Sequence, residues 1–197
     1  MPDSDRHIMR AMESAYLTNQ FLIAMPSMGD PNFDHTVTFV CEHNDDGALG
    51  LVINRPTGMH LGDILAQMEL ESVDPGAAGI AVLHGGPVQP ERGFVIHDPG
   101  GDWGSTLPVS EWAQVTTSRD VLEAMAAGEG PRNALVALGY AGWGAGQLEG
   151  EIAANAWLSV PASREIVFQI PFEDRWRAAA ALIGIDIDQI SGDVGHA

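Results

Sequence analysis

The single cysteine, Cys41, stands two residues before His43 in the run TVTFVCEH (36–43). A thiol attacks as its thiolate, and a histidine on the same side of the chain lowers the pKa that controls it. On a strand of period two, Val37, Phe39, Cys41 and His43 share one face and Thr36, Thr38, Val40 and Glu42 the other. The pair is therefore a candidate for thiol-dependent chemistry. Its apolar neighbours support a different expectation, that Cys41 is a small buried hydrophobe with an inert thiol. A cleft around Asn54, Arg55 and Trp143 is a second candidate. Arg55, placed after a strand and before Pro56, is the best anion-binding side chain available, and it is equally able to pair with a surface carboxylate.

His84, Gly85 and Gly86 open HGGPV (84–88), a Gly-Pro turn whose successive amides could form an anion nest or simply reverse the chain. His35, His43, His84 and His97 fall in or beside predicted strands. No H-x-H or HExxH spacing links them, so hydrogen-bonded structural histidines are expected, with no metal and no cofactor. A G-x-S-x-G elbow is also absent from the sequence.

LGYAGWGAGQLEGEI (138–152) has the order strand, glycines, helix that a dinucleotide site uses. Its register fails: counting on from Gly144 reaches Gln147, and from Gly146 reaches Glu149, so G-x-G-x-x-G is not formed. Glu149 and Glu151 also occupy the helix start, where a phosphate would need positive potential. The glycines are read as serving turn geometry and close backbone approach around Trp143. The candidate ligand or partner site then comprises Cys41, His43, Asn54, Arg55, His84, Gly85, Gly86, His97, Trp143 and Gln147.

All nine basic residues are arginines, against 27 Asp and Glu, for a formal net charge of −18. Such a field repels nucleic acid and anionic lipid, whose nonspecific affinity comes from cations displacing counterions. Without lysine there is neither Schiff-base chemistry nor a P-loop. One cysteine excludes an intramolecular disulfide and a multi-cysteine zinc site. No stretch reaches the ~18 apolar residues of a membrane span, and the N-terminus lacks a signal-type apolar core, which points to the cytoplasm.

At 197 residues and 45% hydrophobic content, the chain has material for one substantial core. Residues 1–15 read as a flexible or helical leader and 16–197 as a single domain. QFLIAMP (20–26) is a short apolar run stopped by Pro26, and strands are expected at 36–43, 48–54, 79–87, 93–99, 133–140 and 164–170, the first two joined as a hairpin by NDDG (44–47). GGDWGSTLPVSEW reads as mostly loop, with room for a short strand. Helices are expected along HLGDILAQMEL, with Leu61, Ile64, Leu65 and Met68 on one stripe, and along TSRDVLEAMAAG, with Thr117 and Asp120 at capping-box spacing. Two more are expected near GQLEGEIAANAW and in PFEDRWRAAAALIG. Strands and helices mix without a βαβ rhythm, which predicts α+β.

The segments FLIAMPSMGDPNFDHTVTFVCEHNDDGALGLVINRP, HGGPVQPERGFVIH and LGYAGWGAGQLEGEIAANAW, followed by Trp176 before LIGID, run in one order over nearly all the chain after residue 16. In that order they resemble the AlgH/YqgE family of small bacterial proteins. The resemblance implies an α+β fold with a bifurcated mixed sheet that includes a small barrel-like part, flanked by helices. It implies no established catalytic activity. The family often carries the label of transcriptional regulator, and the charge argument directs any such role through a protein partner or small ligand rather than DNA.

Overall fold

The computed structural model describes residues 16–26 and 29–186, so the expected leader lies outside the described residues. Ten strands are formed among the described residues: β1 (Gln20–Ala24), β2 (Val37–Asn44), β3 (Gly47–Val52), β4 (Pro56–His60), β5 (Ala81–His84), β6 (Val88–His97), β7 (Thr106–Pro108), β8 (Gln114–Thr116), β9 (Ala134–Gly144) and β10 (Trp157–Pro161). Six α-helices among the described residues flank them: α1 (Leu61–Gln67), α2 (Pro75–Ala78), α3 (Arg119–Ala126), α4 (Gln147–Ala153), α5 (Arg164–Phe168) and α6 (Arg175–Ala181). The architecture is the expected α+β, with strand order β10-β1-β2-β3-β9-β6-β8-β7 in a mixed sheet that curls into a half-barrel. No helix among the described residues is long and apolar enough to cross a membrane.

The sheet divides along one edge of β9. The C-terminal half of that edge pairs antiparallel with β3, from Gly47↔Gly144 to Gly50↔Ala141, while the N-terminal half pairs parallel with β5, from Val82↔Val136 to His84↔Leu138. The other edge pairs with β6. Between the halves, Gly139 takes φ +75° and the chain of Gly85 and Gly86 crosses close by. A Cβ on Gly139 would lie 2.4 Å from the Gly86 carbonyl oxygen, and one on Gly86 would lie 2.1 Å from the Tyr140 carbonyl carbon. Glycine is required there because two backbones meet without room for a side chain.

Three apolar clusters follow from the division. Phe21, Val37, Phe39, Cys41, Leu51 and Phe94 fill the main core, closed by Val167 of α5 and Trp176 and Ala179 of α6. Leu61 and Leu65 of α1 and Val121 and Met125 of α3 cover Val82, Val95 and Val136 on another face. Leu22, Val40, Ala141, Trp143 and Trp157 form the third, under Leu148 of α4. Arg175 is buried at the α6 entrance. It donates to the Ile53 and Ile170 carbonyls and lies 4.6 Å from the Phe172 ring centroid, and burial pushes its pKa down to about 10.

Several local expectations change. REIVFQI is helical over Arg164–Phe168 rather than a strand, because Ser163 accepts from the Ile166 amide at the N-cap and turns Ile166 and Val167 into the core. Strand β9 continues through Gly142 and Gly144, so only Gly146, at φ +73°, makes the turn into α4. That helix stops at Ala153, and Trp157 begins β10. The α3 N-cap is Ser118 rather than Thr117; Asp120 instead accepts from the Ser118 hydroxyl and the Gly104 amide. Strands β4, β8 and β10 and the short helix α2 form where the sequence predicts no such element.

Candidate functional site

The β2–β3 hairpin forms as expected, with one change of register. Val40 pairs with Gly50 and Glu42 with Leu49, leaving Cys41 as an unpaired bulge residue. The extra residue reverses the parity of the strand beyond it. Cys41 therefore packs in the main core with Phe39, while His43 lies on the opposite side, beside Ala48 and α4. The expected shared face is not formed, and the Cys41–His43 pair is not assembled. Cys41 is 1% exposed, its Sγ lies 3.6 Å from the Phe39 carbonyl, and burial raises the thiol pKa above its ordinary range.

His43 has a structural set of partners. Its Nδ1 accepts from the Leu17 amide at 2.9 Å, which places the proton of the neutral ring on Nε2, where it donates to Glu149 Oε1 at 2.6 Å. Glu149's own amide, and then the His43 bond, hold that carboxyl below the usual range against the opposing effect of desolvation. His97 is fully buried at the far end of β6, between the Asp98 carbonyl on Nδ1 and the Thr116 hydroxyl on Nε2, both at 2.7 Å. Desolvation lowers its pKa. His84 ends β5, and Gly85 spends its amide on the Leu138 carbonyl at the sheet division. With Gly86 close against Tyr140, this turn joins strands.

Asn54, Arg55, Trp143 and Gln147 are brought into one arrangement by the loop after β1. Asn54 Oδ1 accepts from the Val37 amide at 3.0 Å, and its Nδ2 donates to the His35 carbonyl at 2.9 Å. The Arg55 guanidinium donates to three carbonyls of the same loop, those of Pro31, Asn32 and Asp34. A fork rich in N–H donors suits this task, since one side chain satisfies a loop that has no ladder of its own. The loop so held presents Phe33, which stacks on Trp143 at 6.4 Å and meets Trp157 edge-on at 5.3 Å. Arg55 thus acts on the cleft through backbone oxygens, not through an anion.

Between this loop and α4 opens a cleft of about 470 Å³, lined by Asp30, Phe33, Trp143, Gln147, Glu151 and Trp157 among others. The size is within the range of small-molecule sites. Gln147 Oε1 accepts from the Gly144 amide, which sets the start of α4 against the end of β9. Glu151 Oε1 accepts from the Trp157 indole N–H at 3.3 Å, while its Oε2 is buried without a hydrogen-bond partner. Both charged residues among the described lining, Asp30 and Glu151, are acidic. Asp30, Phe33, Glu151 and Trp157 are not among the candidate site residues expected from the sequence. The available signal was Phe33, a lone large aromatic in the otherwise polar loop GDPNFDH. Among the described residues, no group of three or more His, Cys, Asp or Glu is placed to hold a metal ion.

A bifurcated half-barrel with one helix forming the wall of an aromatic cleft defines a distinct class of small α+β protein. The chain belongs to the AlgH-like family, whose model matches residues 21–188. It is 62% identical over 184 residues to a UPF0301 protein of Thioalkalivibrio sulfidiphilus, covering 93% of this chain and 98% of the relative. A UPF0301 protein of Methylococcus capsulatus is 53% identical over the same shares of both chains. The solution structure of AlgH from Pseudomonas aeruginosa superposes with a TM-score of 0.76 at 50% identity, over 92% of this chain and 96% of that one. A Corynebacterium diphtheriae protein solved by crystallography, 17% identical, shares the fold with a TM-score of 0.69 over 89% and 91% of the two chains.

Proposed function

We propose that this protein is a cytoplasmic, non-enzymatic regulator that works by holding a small ligand or a protein segment in the Phe33–Trp143–Trp157 cleft. The observation that carries this reading is the strap of Asn54 and Arg55: five hydrogen bonds keep a loop in place whose aromatic residue completes the cleft. Separation of Cys41 from His43 supports it over a thiol-dependent enzyme. The net charge of −18 supports a role away from direct DNA contact.

The test places a photocrosslinking residue at Gln147 in the full chain and, as a control, at Val73, which is 74% exposed and outside the cleft. In bacterial lysate, the Gln147 position is expected to capture a discrete species that Phe33→Ala diminishes, while the Val73 position captures none of it. Equal capture from both positions, or capture unchanged by Phe33→Ala, refutes the reading. A gel-shift titration with duplex DNA at physiological salt is expected to show no complex.

A further inference from the structure

The two ring nitrogens of His43 hold opposite roles, and this decides what a further proton does there. We infer that His43 is a proton-operated latch: the neutral ring fastens the segment Tyr16–Thr18 to the β2–β3 hairpin, and the charged ring releases it. The inference does not depend on what the cleft holds. A backbone N–H can only donate, so the Leu17 amide, 2.9 Å from Nδ1, needs a lone pair on that nitrogen. An imidazolium carries N–H on both nitrogens and has no lone pair to offer. The Leu17 bond and the proton therefore exclude each other at Nδ1. The other nitrogen loses nothing, because Nε2, 2.6 Å from Glu149 Oε1, donates in either state. Protonation thus keeps the ring tied to α4 and unties it from the chain before β1.

Glu149 fixes the direction of the response. Its carboxyl is held below the usual range, so it stays an anion wherever a histidine titrates and keeps the ring in place as its pairing partner. The other titratable neighbours are Tyr16, whose ring meets the imidazole edge-on at 5.3 Å, and Asp45, which accepts from the Tyr16 hydroxyl at 2.6 Å, with Asp46 next to it in the hairpin turn. From β3 the residue opposite His43 is Ala48, which brings no charge.

What else secures the segment is slight. Thr18 Oγ1 accepts from the His43 amide at 3.0 Å, the Leu17 carbonyl accepts from the Gln20 amide, and the half-buried Leu17 side chain rests at the margin of the third cluster. From Asn19 onward the chain belongs to the sheet, since the Asn19 amide donates to the Val40 carbonyl and its carbonyl accepts from the Ala162 amide. A charged Nδ1–H facing the Leu17 N–H sets donor against donor and leaves both unsatisfied, and swinging the segment into water satisfies the two. The movement ends at Asn19 and leaves the sheet intact.

The test follows the full ¹⁵N-labelled chain by NMR between about pH 8 and 5, a range that spans the ordinary histidine value. Ring ¹⁵N shifts report the His43 tautomer and charge, and hydrogen exchange reports how far the Leu17 amide is protected beyond its intrinsic rate. At the upper end the ring is expected as the Nε2–H tautomer with Leu17 protected. As the ring charges, Leu17 protection is expected to fall at least roughly tenfold, with the same midpoint as the ring, while the amides of β1 keep theirs. Thermodynamic linkage demands the converse: Tyr16→Ala, which loosens the segment, lets the ring take up its proton at higher pH than in the parent. His43→Gln offers an oxygen to Leu17 and an N–H to Glu149 but takes no proton, and its Leu17 protection is expected to be independent of pH.

An Nδ1–H tautomer at the upper end, a ring that stays neutral down to the onset of acid unfolding, or Leu17 protection that outlasts the charging of the ring each overturns the latch. So does an unmoved or lowered ring titration in Tyr16→Ala, or a pH-dependent loss of Leu17 protection that persists in His43→Gln. Should the glutamine variant not fold, the parent titration alone decides.

Discussion

Replacing Gly139 by alanine tests whether this glycine exists for a backbone crossing. Two costs add at that position. An L-residue at φ +75° pays about 1–2 kcal/mol for the left-handed conformation. The new methyl would also stand 2.4 Å from the Gly86 carbonyl oxygen and 3.2 Å from both Pro90 Cα and the Val88 oxygen. Those are main-chain atoms held in strands, so they yield only by moving β5 and β6 away from β9. Forced overpacking of this kind costs about 1–3 kcal/mol more.

Gly146 provides the control, because its φ is nearly the same, +73°, and a Cβ there would meet no atom within 4 Å. Gly146→Ala therefore carries the conformational cost alone. For a chain of this size each kcal/mol lowers the midpoint of thermal unfolding by about 2–4 °C. The Gly146 variant is expected to fall by roughly 2–8 °C and the Gly139 variant by roughly 2–12 °C beyond that. Calorimetry of both variants beside the parent reads the difference directly. Equal losses would show that no crossing presses on Gly139, and the account of the divided sheet would fail.

Four further outcomes are expected. Native Cys41 should resist a disulfide-exchange reagent at neutral pH and react fully only after unfolding, because the thiol is buried and its pKa raised; rapid native labelling would contradict its placement. Arg55→Met should lower stability by about 1–3 kcal/mol and red-shift tryptophan emission as Phe33 leaves Trp143, whereas a blue shift or no shift would separate the loop from the cleft. Arg175→Met should cost about 2–4 kcal/mol in denaturant titration, since the Ile53 and Ile170 carbonyls lose their donor inside the core. His97 has a lowered pKa in the fold, so as pH falls through the ordinary histidine value of about 6.5 the unfolded chain takes up a proton first and stability is lost. Urea midpoints between about pH 7.5 and 5 should therefore decline more steeply in the parent than in His97→Gln.

The sequence made the strong periodicities legible. The apolar alternation around Phe39, the α1 stripe of Leu61 and Leu65 and the buried run of β9 each formed as their spacing required. It misled where a local choice depended on distant packing. Ile166, Val167 and Phe168 have strand-like side chains, yet a serine cap and the core beneath hold them as a helix. The bulge at Cys41 had no local signature, because its cause is the register of β3 against β2, and it moved His43 to the other side of the sheet. The cleft was half visible. Asn54, Arg55 and Trp143 are expected from the sequence around one cleft, with Gln147 among the candidate residues, but the link among them runs through loop carbonyls, which no side-chain pattern records.

Strand β9 has a consequence for synthesis. It hydrogen-bonds β3, β5 and β6, all of which leave the ribosome before it. Until residues 134–144 emerge, those three earlier strands expose open edges with no template to unite them. A translation pause just upstream of Ala134 would thus extend the period in which the nascent chain is open to aggregation or to chaperone capture.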